Sequence, residues 1–158
     1  MKIDKNMIRK HDSLSLGSYP QEPKENERTP ISWRVLDIDD DEAILISEYI
    51  LDCKRYHNEL VDTSWQKSDL RNWLNHHFYN NAFSIEEQKM IQSDYLGDYV
   101  SLLSCSELET YFADNRIERR TTATEYARMV KGDGCKLYVY DKSEEVNYMT
   151  VGGIRQAC

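Results

Sequence analysis

Three consecutive stretches decide the fold: Ile31-Ser32-Trp33-Arg34-Val35-Leu36-Asp37-Ile38, then Asp39-Asp40-Asp41-Glu42, then Ala43-Ile44-Leu45-Ile46-Ser47. The first alternates apolar and polar from Ile31 to Val35, as a half-buried strand does. Two β-rich runs around a short acidic turn make a hairpin. Upstream, Ser13-Leu14-Ser15-Leu16-Gly17-Ser18-Tyr19 alternates in the same way and predicts another strand. The polar segment between, residues 21–30, holds two of the three prolines and reads as a surface loop.

Downstream the period changes. Leu70, Trp73, Leu74, His77 and Phe78 recur at helical spacing, which predicts an amphipathic helix over Ser68–Phe78, ended by Asn80-Asn81. On this reading His77 lies on the apolar face and His76 faces solvent. Ser84-Ile85-Glu86-Glu87 is a capping box: the hydroxyl takes an orphan amide and the Glu reaches back to the cap. It opens a helix through about Ser93. Ser104-Cys105-Ser106-Glu107 repeats the device, and Thr122-Ala123-Thr124-Glu125 repeats it again. Leu137–Tyr140 and Val146–Val151 then read as strands. Strands, helices and strands in that order predict an α+β class: an N-terminal β-hairpin region, central helices and C-terminal β strands. Trp33, Val35, Ile44, Ile46, Leu70, Trp73, Leu74 and Phe83 are the expected core.

The 158 residues suit one domain spanning 1–158. The formal charge of −8 makes a nucleic-acid backbone a poor partner. Arg116, Arg119, Arg120 and Arg128 are interleaved with Asp114, Glu118 and Glu125, a mixed-sign solvated helix face. No apolar run approaches the ~20 residues that span a bilayer, and Met1-Lys2-Ile3-Asp4-Lys5 has no signal-like apolar region. A cytoplasmic chain without a membrane partner is expected. On that footing Cys53, Cys105, Cys135 and Cys158 are expected to be free thiols.

No constellation announces a reaction. Asp37, Asp39 and Asp41 have the opening spacing of a calcium loop, but Glu42 stands where such a loop needs Gly. Cys53 and His57 are four apart, and His76-His77 are adjacent. Neither forms the paired spacings of a zinc site. No catalytic residue, metal or cofactor is assigned. Should the chain be an enzyme, Cys53, His57 and Glu86 are the groups to watch.

As an ordered set, several segments resemble a bacterial family known as domain of unknown function 6273. They are Leu16–Gln21, Ile31–Asp37, Ala43–Ser47, Leu51-Asp52-Cys53, Leu70–Asn75, Phe78-Tyr79 and Ala82-Phe83-Ser84. The resemblance covers about residues 14–130. Val151-Gly152-Gly153-Ile154-Arg155-Gln156-Ala157 resembles the family's Gly-Val-Arg-Pro-Ala close, with Gln156 in place of Pro. The family's Trp-Leu-Arg-Ser stretch is missing, so the C-terminal part is shortened or diverged. The resemblance implies a C-type-lectin-like fold and no known activity.

The expected role is a non-catalytic recognition domain for a protein or saccharide. Tyr138, Tyr140, Tyr148 and Arg155 are the residues expected to touch the ligand. Alternation puts Tyr138 and Tyr140 on one face, and Tyr offers a flat apolar body with a polar tip. The alternatives are an enzyme with an unrecognised site, or a structural domain acting as a homo-oligomer through an open sheet edge.

Overall fold

Alternating and apolar strand runs need partners, and here they find each other. In the computed structural model, β1 (Ser13–Pro20), β2 (Arg28–Asp39) and β3 (Glu42–Ser47) form one antiparallel sheet in the order β1-β2-β3. Residues 8–129 are described, apart from 25, 41, 114, 116 and 117. The expected strands within 137–151 lie outside the described residues. The hairpin turn between β2 and β3 has Asp40 at φ 47°, a left-handed value that Asp tolerates better than most residues.

The sheet is covered on both faces. Leu45 and Ile46 are neighbours in β3 and therefore point to opposite sides. Leu45 packs against the larger core, which includes Leu16, Tyr19, Ile31, Leu70, Leu74, Phe78 and Phe83. Ile46 joins Leu36 in a second cluster, under Leu108 and Phe112 of α4 (Cys105–Phe112). Two-sided burial explains why Leu45 and Ile46 are both apolar rather than alternating. Each fully buried Leu, Ile or Phe contributes roughly 1.5–3 kcal/mol.

Burial matches the expected core at Val35, Ile46, Leu70, Leu74 and Phe83. Trp33 and Trp73 are half-buried, lying against the larger cluster. Ile44 is a correction: it is 38% exposed. It shares a face with Ile46 but sits nearer the turn. A bulge between Val35 and Asp37 places it opposite Asp37.

The central helix starts at the expected cap, the Ser68 hydroxyl accepting the Arg71 N–H at 3.1 Å. It runs as α1 (Asp69–Asn72), widens into a π-helical stretch (Trp73–Phe78), and closes as α2 (Tyr79–Ala82). Asn80-Asn81 therefore does not end it. The buried stripe falls on every fourth residue: Leu70, Leu74, Phe78 and Ala82. In a regular α-helix four residues overshoot a turn by about 40°. The π stretch, with the Tyr79 N–H reaching back to the Leu74 carbonyl, removes that overshoot. The same phase change turns His77 outward. It is exposed rather than in the core, stacked on Trp73 at 5.8 Å.

Both serine capping boxes form with reciprocal bonds, at α3 (Ile85–Met90) and at α4. The first helix stops short of Ser93. The third differs: α5 (Glu125–Met129) is capped by Thr124, whose hydroxyl accepts the Ala127 N–H at 3.1 Å. The backbone of Thr122 is engaged elsewhere, bonded to Ile50. Arg119 and Arg120 lie in the irregular connection between α4 and α5, not on a helix face, and Arg119 donates to the Ala113 carbonyl.

Helices and sheet meet at Gly17. Its φ is +72°, and a Cβ there would stand 2.6 Å from Phe83 Cδ1 and 2.8 Å from the Ala82 carbonyl oxygen. Gly17→Ala should therefore cost about 1–2 kcal/mol for the left-handed backbone and about 1–3 kcal/mol more for overpacking. Chemical denaturation measures this. A midpoint like that of the parent chain would show that Phe83 does not sit against Gly17.

Candidate functional site

Two buried carboxylates organise the described residues, and neither was picked out from the sequence. The first is Asp98, whose side chain is 3% exposed. Arg71 Nε donates to both of its oxygens, at 2.8 and 2.9 Å, and Trp65 Nε1 donates to Oδ2 at 2.8 Å. The rest of the guanidinium reaches the Leu96 carbonyl at 2.9 Å and the Gln66 carbonyl at 3.2 Å. One turn later Asn75 takes the same chain segment. Its amide donates to the Val100 carbonyl at 2.9 Å, and its oxygen accepts the Tyr99 and Val100 N–H groups. Asp94 folds the segment on itself by accepting the Leu96 and Asp98 N–H groups. Leu70-Arg71-Asn72-Trp73-Leu74-Asn75 thus builds an apolar stripe for the core and a polar stripe that grips residues 94–100.

The Asp98 node joins the bases of two loops. One holds Leu60, fully exposed, and Val61, 56% exposed. The other has Tyr95, 92% exposed, at its tip, followed by Gly97 at φ +81°. Tyr99 stacks on Tyr79 at 4.5 Å, with the rings 14° from parallel.

The second carboxylate is Asp52, 5% exposed. The Tyr19 hydroxyl donates to Oδ2 at 2.5 Å and the Cys53 N–H donates to Oδ1 at 2.6 Å. Burial pushes the Asp52 carboxyl above its usual range, opposed by these two bonds and by nearby Lys54 and His77. Burial also pushes up the Tyr19 hydroxyl, reinforced by the Asp52 charge. Around the pair stand aromatic rings: Phe78 at 5.0 Å and Tyr126 at 5.8 Å from Tyr19. Lys54 Nζ lies 5.1 Å from the centre of the Trp73 ring.

The other sequence candidates separate. Cys53 is buried and outside any disulfide. His57 turns to Asp69, Nδ1 standing 2.8 Å from Oδ2 without the alignment of a hydrogen bond. Glu86 is exposed and pairs with Lys89 at 2.8 Å. Cys105 is disulfide-bonded, which corrects the expectation of a thiol there. Tyr138, Tyr140, Tyr148 and Arg155 lie outside the described residues. Among the described residues, no group of three His, Cys, Asp or Glu side chains could hold a metal ion, and no helix is long and apolar enough to cross a membrane. Sequence hints to the two carboxylates exist: an acid inside the apolar run Ile50-Leu51-Asp52-Cys53, and an Asp94-to-Asp98 turn containing Gly97.

Tyr19→Phe removes a donor from a buried carboxylate. It should cost about 1–3 kcal/mol at neutral pH. The missing bond lowers the Asp52 pKa in the folded chain, so its loss raises that pKa further. The deficit is therefore full above the raised value and shrinks as the pH falls through it. Urea melts across pH 4–7 test the sign. A deficit that grows toward acid would mean that Asp52 does not carry the effect.

Residues 40–99 match the family described as Domain of unknown function (DUF6273). The match takes in β3, Asp52, the whole central helix and Asp98. No curated protein and no solved structure matches the chain.

Proposed function

We propose that the chain is a recognition domain that presents the loops around Leu60 and Tyr95 to a protein partner. The observation that carries this reading is the Asp98 node. An ion pair with a buried carboxylate and a half-buried guanidinium, together with an indole N–H, fixes the bases of two loops whose apolar side chains point into solvent. Loops ordered before binding lose less entropy on association, so exposed Tyr and Leu on them yield more net affinity. Tyr is among the side chains that most often dominate protein interfaces. Asp52 and Tyr19 are too enclosed to meet a substrate directly. The saccharide arm of the expectation rests on Tyr138, Tyr140, Tyr148 and Arg155, and the C-type-lectin-like fold on the family resemblance.

The test is selection of peptide binders on the purified chain, beside a glycan panel, with Leu60→Ser/Tyr95→Ser as the paired control. Peptides selected on the parent chain should bind the double variant about tenfold more weakly or worse. Its melting temperature should be unchanged, since both side chains are exposed. Peptides that bind both proteins equally would overturn the assignment. Glycan binding that survives the double variant and disappears in Tyr138→Ala/Tyr140→Ala would replace it with a saccharide site. Asp98→Asn supplies an independent check. It should speed amide exchange in both loops at once, and faster exchange in one loop alone would show that the node does not couple them.

A further inference from the structure

The segment after α4 is attached differently from the rest of the chain. Ile50 and Ala123 form an isolated parallel bridge: the Ile50 N–H donates to the Thr122 carbonyl and the Thr124 N–H donates to the Ile50 carbonyl, each at 3.0 Å. The Tyr126 N–H donates to the Gln21 carbonyl at 3.1 Å, and the Thr121 hydroxyl donates to the Glu48 carbonyl. Among the described residues, the apolar contact beneath is a cluster of Ile50, Ala123 and Ala127, with Tyr126 packed at the edge of the larger core. Two alanines bury little area, and a helix as short as Glu125–Met129 does not hold itself together. A short segment joined to the sheet side through bonds to Glu48, Ile50 and Gln21, rather than through a ladder of its own, can open before the whole domain unfolds.

This segment lies over a carboxylate that burial holds above its usual range. The Tyr126 ring meets Tyr19 edge-on, and Tyr19 is hydrogen-bonded to Asp52. Ile50, which carries the bridge, is two residues before Asp52. Lifting residues 121–129 would therefore uncover the pair from the Tyr19 side and from the chain leading into Asp52.

We propose that residues 121–129 form a releasable strap over the Tyr19–Asp52 pair, and that pH sets how often the strap opens. With the strap closed, both donors to Asp52 are neutral, a phenol and an amide. Ionised Asp52 is then a poorly hydrated charge, eased by those two bonds and, among the described charges, by Lys54 and His77. Arg28 stands 6.0 Å from the Tyr19 ring centre. On the strap itself, Glu125 and Arg128 face each other at 4.0 Å, and Tyr126 adds a phenol. Opening hydrates the carboxylate. The sign follows from burial holding the carboxyl above its usual range. Protonated Asp52 favours the closed strap at low pH. That preference is lost as the pH rises from the usual carboxylate range through the raised value, and it is constant above it.

Native-state amide exchange, corrected for intrinsic rates, tests this. Thr124 and Tyr126 amides should be less protected than Val35 in β2. Their protection should fall severalfold between pH 4 and pH 7 relative to Val35. In Asp52→Asn that pH dependence should vanish. Strap amides as protected as Val35, or a pH dependence that survives Asp52→Asn, would overturn the proposal. Should Asp52→Asn fail to fold, Tyr126→Ala carries the test, because it lifts the ring from Tyr19 and leaves Asp52 in place. Strap amides should then exchange severalfold faster with Val35 unchanged. Equal acceleration of both would mean that strap and sheet open together, against the proposal.

Discussion

One carboxylate and one missing side chain join the two halves of this fold. Glu87 Oε2 accepts from the Ser84 amide and hydroxyl, completing a capping box, and its Oε1 accepts from the Gly17 amide in β1 at 2.7 Å. The Ser84 bonds hold this carboxyl below its usual range, so it remains an anion at neutral pH. Beside that bond Phe83 lies against the bare Cα of Gly17. From there its ring reaches Trp33, Phe78 and Tyr79 at 6.2, 6.0 and 5.8 Å. The left-handed backbone of Gly17 and the bulge between Ser15 and Ser18 are thus what let the helices close on the sheet.

The π-helical stretch does comparable work for the central helix. A buried stripe every four residues keeps Leu70, Leu74, Phe78 and Ala82 on the core without unwinding the chain. It also keeps Arg71 and Asn75, four apart, in line on a neighbouring face, where both grip residues 94–100. Core packing and the grip on residues 94–100 are therefore written into the same short peptide. Substitutions there would disturb both.

How much of this the sequence discloses depends on the distance between partners along the chain. The Ser84 and Ser104 caps were legible because their partners stand three residues away. The β2–β3 hairpin was legible because its partners surround one turn. Tyr19–Asp52 and Arg71–Asp98 were not, since 33 and 27 residues separate them and no local pattern marks the pairing. His77 was misplaced because α periodicity was applied where the helix is π-wound. Ile44 was misplaced because it shares a face with Ile46 but sits nearer the turn, and alternation shows only the face. At Thr122 the capping pattern was real, but a backbone bridge to Ile50 claimed the residue first.

Asp98 and Asp52 show how one residue type can serve opposite ends. Asp98 meets a guanidinium, so its charge is answered where it lies and the bonds around it hold two loops still. Asp52 meets a phenol and an amide, donors that satisfy its oxygens without cancelling its charge. The first arrangement rigidifies, because opening it would separate an ion pair. The second is poised, because opening it would hydrate a charge that the fold leaves only partly answered. A chain built this way can hold residues 94–100 against the central helix while, on the strap proposal, a separate segment responds to pH. The sheet between them, covered on both faces, has no reason to move with either.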